Sequence, residues 1–67
     1  MPLITKPNIA DADGFYARLL ATHKGLTEAQ SHALNARLVL VLANHIGDAE
    51  VLTQALDLAR DGAGQSA

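Results

Sequence analysis

Cysteine and tryptophan are absent from this chain, and Phe15 and Tyr16 are its only aromatic residues. Without cysteine there is no disulfide and no thiolate metal site. With so few aromatics, a core has to be built from Leu, Val, Ile and Ala. Clustered positive charge is also missing. The five basic residues (Lys6, Arg18, Lys24, Arg37, Arg60) are spread out and outnumbered by seven acidic ones, for a net charge of -2. Nucleic-acid binding rests on clustered Lys and Arg at phosphates. The expectation is no nucleic acid, although three short helices would invite a helix-turn-helix reading. The longest apolar run, Leu38 to Ala43, is far short of the roughly 20 residues that span a bilayer. The opening "MPLITKPN" has neither a long apolar stretch nor a cleavage site of the secretory kind. A cytoplasmic protein with no membrane association is expected.

What is present is a single small domain in 67 residues. A domain near 60 residues buries only about 60% of its unfolded-chain surface, and scaffolds of this size need a staple. With disulfides excluded, a partner chain is the most economical one.

Residues 1–10 hold two prolines and no apolar periodicity, and read as an extended lead-in. Asp11 and Asp13 suit a helix N-terminus, where carboxylates accept orphan N–H bonds and favour the positive dipole end. Phe15, Tyr16, Leu19, Leu20 and His23 follow at helical spacing, and Gly25 suits the left-handed stop. Gly14 weakens the first turn by about 1 kcal/mol against Ala. "LTEAQ" supplies Thr27 as a cap with Gln30 three residues on, a capping-box pattern. Gly47 closes the second helix and Asp48 caps the third, with Glu50 in its first turn. Val51, Leu52, Ala55, Leu56 and Ala59 form one apolar face there, and Gly62 is expected to end it. The result is an all-α, three-helix domain over residues 11–61. Its helices span about 11–24, 27–46 and 49–60, helix 2 is central, and residues 62–67 form a small, polar, flexible tail. The run "RLVLVLAN" could also suit a buried strand. Its place inside some twenty residues with Ala29, Ala33, Ala36 and Ala43, all good helix formers, decides for helix.

At about 100° per residue, helix 2 has two apolar faces. One carries Leu34, Leu38, Val41 and Leu42; the other carries Ala29, Ala36, Leu40 and Ala43, adjoined by Val39 and Ile46. Gln30, Arg37 and Asn44 form the one clearly polar stripe. A helix apolar nearly all round is a buried helix, yet helices 1 and 3 offer one stripe each. The seven-residue spacing of Ala29, Ala36 and Ala43 is a small-residue seam that admits another helix closely. Oligomerisation through helix 2 is expected to complete the fold. The interaction residues are Ala29, Asn35, Ala36, Arg37, Leu40, Ala43, Asn44 and His45. Asn35 lies inside the apolar arc, where a single amide can fix register or partner choice; the bland alternative is an exposed Asn near the first turn. Arg37 is placed for an inter-chain ion pair, for Asp57, or for water alone.

Catalytic and metal chemistry have little to stand on. His32 and His45 fall on opposite sides of helix 2, and a zinc site wants three or four ligands. His45 and Asp48 make two at most. Ser31 and His32, adjacent in sequence, point about 100° apart and form no nucleophile–base pair. No glycine-rich phosphate loop occurs. Neither catalytic residues nor a cofactor or metal is expected.

The blocks "LNARL" and "ANHIGD" within residues 34–48, with "FYARLLATHKGLTEAQSHALN" before and "LTQALDLAR" after, resemble a family of short, all-helical bacterial proteins classed as a domain of unknown function. The resemblance implies a frequent genomic setting beside flavin-dependent aromatic-ring hydroxylases, and hence an accessory or stabilising subunit of a larger catabolic enzyme. It implies no catalytic residues. The alternative is a free-standing homo-oligomer that binds a small apolar ligand between its helices, near Phe15 and Tyr16.

Overall fold

The computed structural model describes residues 2–66, and their side chains as far as residue 63. Among the described residues the chain is all-α: α1 (Ala12–His23), α2 (Glu28–Ile46) and α3 (Ala49–Ser66) follow an extended lead-in.

Each helix begins where its polar residues demand. Asp11 accepts from the Gly14 amide at 3.0 Å. The Asp11 carboxylate occupies the space a Cβ on Gly14 would fill, so the glycine that costs α1 helix propensity also lets its cap come close. At α2 the capping box is complete. The Gln30 amide donates to Thr27 Oγ1 at 3.2 Å, and the Thr27 amide donates to Gln30 Oε1 at 3.0 Å. Asp48 Oδ1 accepts from the amides of Glu50 and Val51 at 3.0 and 3.2 Å and opens α3. Thr27→Ala is expected to lower stability by about 1 kcal/mol, read as an earlier urea midpoint. An unchanged midpoint would mean the cap contributes nothing to the folded state.

Two of the three expected stops are made. Gly25 (φ 84°) follows α1 and Gly47 (φ 70°) ends α2 with its amide on the Ala43 carbonyl at 2.9 Å. Gly62 is not a stop. It lacks the positive φ of the other two, and α3 runs through it to Ser66. A helix-interior glycine costs only about 1 kcal/mol, so it terminates a helix only where the chain turns left-handed. Of the residues expected to form a tail, 62–66 are therefore helical and Ala67 lies outside the described residues.

The lead-in is extended and tied to the far end of the chain. The Leu3 amide donates to Gln54 Oε1 of α3 at 2.9 Å. α2 packs mainly on α3, and the contact is thin. α1 is linked to α2 by a hydrogen bond between His23 Nδ1 and Ser31 Oγ at 3.0 Å. The half-buried apolar residues include Leu3, Leu19, Leu34, Leu38, Val51, Leu52 and Ala55, joined by the polar His23, Ser31 and Gln54. No described residue is fully buried. The expected burial of α2 is thus not achieved by this chain alone. Two neighbours with one apolar stripe each cannot enclose a helix that is apolar on nearly every side.

Candidate interaction surface

The two faces of α2 have different fates. Leu34 and Leu38, with Ser31, point inward and are half-buried. About 160° to 200° round the helix from Leu38 lie Ala29, Ala36 and Leu40, all exposed. Leu40 is 71% exposed, the most open of the large apolar side chains among the described residues. Val39 and Ile46 flank this face and are also exposed, while Ala43 is half-buried. Val41 and Leu42, grouped from the sequence on one face with Leu34 and Leu38, lie at the margins of the inner face and are exposed. α2 is therefore apolar both toward its own chain and away from it.

The polar residues fit around this face. Gln30 serves the capping box, and Arg37 and Asn44 are exposed beside the seam. Arg37 forms no ion pair among the described residues, so the suggested Asp57 pairing is not made. Asn35 is exposed, in line with the blander of its two readings, and His45 is exposed in the last turn of α2. His32 approaches Glu28 one turn earlier at 3.7 Å, both side chains well solvated. Such pairs contribute little to stability.

Apolar exposure continues on the other helices. On α3, Val51 and Ala55 are half-buried, but Leu58, further along the same stripe, is exposed, as is Leu56. Phe15, Tyr16 and Leu20 of α1 are at least half exposed. The surface adds up to 5987 Å².

Sequence spacing did not reveal the His23–Ser31 bond, which joins residues eight apart across the Gly25 turn. The clue lies in folding the hairpin: a polar residue in the last turn of α1 and another in the first turns of α2 end up facing each other. The bond ties the last turn of α1 to the first turns of α2. No group of three or more His, Asp or Glu among the described residues is placed to hold a metal ion. Two shallow hollows, of about 440 and 290 Å³, lie along the lead-in. The first is lined by residues such as Ile4, Pro7 and Ile9, and the second reaches Ile46 and Val51; Phe15 and Tyr16 line neither. No helix among the described residues is long and apolar enough to cross a membrane.

No curated protein and no solved structure matches the chain. One family model does, over residues 3–61, a span that begins in the strapped lead-in and takes in α1, α2 and most of α3. The chain belongs to that family, described as "Protein of unknown function (DUF2783)".

Proposed function

We propose that this protein is a non-catalytic helical interaction module that completes its core against another polypeptide. The observation that carries this reading is that no described side chain is buried, although nearly half the sequence is hydrophobic. A monomer rarely leaves so large a share of its leucine, valine and isoleucine in water, and large exposed apolar patches mark partner surfaces. An accessory or stabilising role on a larger catabolic enzyme, such as a flavin-dependent hydroxylase in the cytoplasm, is the setting that the resemblance adds.

Leu40 supplies the test. Leu and Gln have nearly equal helix propensities, so Leu40→Gln changes hydrophobicity with little effect on the helix itself. At a position that stays in water, such a change moves stability by less than about 0.5 kcal/mol. Where the leucine is covered by another chain, the expected loss is about 1.5–3 kcal/mol. Thermal denaturation of the assembled protein reads the difference. A variant that melts with the wild type places the outer face of α2 in solvent and ends this reading.

A further inference from the structure

We infer that the outer face of α2 is covered by a second copy of this chain, paired antiparallel about a two-fold axis at Ala36; this rests on the interaction-module reading above and names its partner. The first argument is area. A compact chain of 7.0 kDa exposes about 4,000 Å², whereas this one exposes 5987 Å². Its radius of gyration, 13.6 Å, likewise exceeds the roughly 11 Å of a compact chain of this length. The surplus, about 2,000 Å² per chain, is more than twice the roughly 800 Å² that each partner contributes to a standard stable interface.

The second argument is the fit of α2 to a second copy of itself. In a two-fold interface, if residue i meets residue j, then j meets i. Any antiparallel helix pair about such an axis satisfies this; what favours the pairing is that the small residues of the two copies fall opposite one another, so that the backbones approach closely. Ala29 and Ala43 stand seven residues either side of Ala36, so Ala29 faces Ala43 of the second copy while Ala36 faces itself. Leu40 falls opposite His32 of the copy, and Val39 falls opposite Ala33. The polar stripe is spaced the same way, Gln30 and Asn44 seven either side of Arg37, which sets Gln30 near Asn44 of the copy on the same flank. Arg37 lies at the rim beside its own copy, where solvent screens the like charges. The antiparallel arrangement also opposes the two helix dipoles. Alanine along the line of contact permits an axis separation near the short end of the usual 8–10 Å.

The chain has no cysteine, so each introduced thiol is the only one. Ala36→Cys is expected to form a disulfide-linked dimer on mild oxidation. Ala29→Cys and Ala43→Cys are expected to stay unlinked separately and to cross-link to each other when unfolded and refolded together. Self-linking of Ala29→Cys, without the mixed product, would mean a parallel or different contact and overturn the arrangement. Sedimentation of the wild-type chain separates this inference from the reading beneath it. A dimer at micromolar concentration supports both. A monomer without a cooperative thermal transition overturns the second copy and leaves the interaction module standing. A monomer that melts cooperatively alone overturns both.

Discussion

Tenfold dilution of the purified chain is expected to lower its thermal midpoint by about 3 to 6 °C, step after step, through the micromolar range. The reasoning starts from the thin contact between α2 and α3 and the absence of a fully buried residue. If the missing core is shared between two copies, folding and association are one equilibrium, and each tenfold change in concentration shifts it by about 1.4 kcal/mol per pair, or about 0.7 per chain. For a domain of this size, about 1 kcal/mol moves the midpoint by about 4–8 °C. Circular dichroism at 222 nm over three concentrations reads the shift. A midpoint independent of concentration would mean that the exposed apolar surface belongs to the stable folded chain.

The second large effect is expected at Gly47. Its φ of 70° lies in the left-handed region and ends α2 just before Asp48 opens α3. An added Cβ would meet only the Asn44 carbonyl oxygen, at 3.8 Å, so space is not the obstacle. The cost is conformational, about 1–2 kcal/mol for an ordinary L-residue. Asn adopts this region more readily than Ala, and a β-branched residue less readily than either. Stability should therefore fall in the order wild type, Gly47→Asn, Gly47→Ala, Gly47→Val. Against the roughly 3–5 kcal/mol that a single small core supplies, the last of these removes a large part of the total. Gly25, at φ 84° with open space around it, carries a similar conformational cost. α1 has sparser contacts with the rest of the chain, so local opening can relieve the strain there and the main transition should move less. Equal urea midpoints for Gly47→Ala and wild type would show that the α2–α3 corner is not held in this geometry.

The turns and caps were legible because they depend on a few neighbouring residues. Thr27 with Gln30, Asp48 with its two amides, and the left-handed Gly25 and Gly47 all follow from local chemistry. Gly62 misled because composition identifies a residue that can stop a helix, not one that does; the deciding quantity is φ. Periodicity identified both apolar faces of α2 but carried no information on which would be occupied. The inner one follows from how α1 and α3 happen to fold back, and that depends on contacts such as His23–Ser31 and Leu3–Gln54 that join separate segments. Asn35 illustrates the same limit. Its angle near Leu38 put it within the apolar arc, yet the neighbours of α2 do not reach round to cover it.

The scarcity of contacts between distant parts of the sequence also determines how quickly the native state is reached. Most of the ordering is within single helices, where elongation takes nanoseconds per residue and whole-segment relaxation about a microsecond or less. Chains dominated by such local contacts cross their conformational barriers fast, since little loop closure precedes the reward. In the proposed dimer, the search that remains is diffusional. Helices would form and fray many times before two chains collide in register, making refolding second order in protein and setting its pace by encounter frequency rather than by rearrangement of the polypeptide.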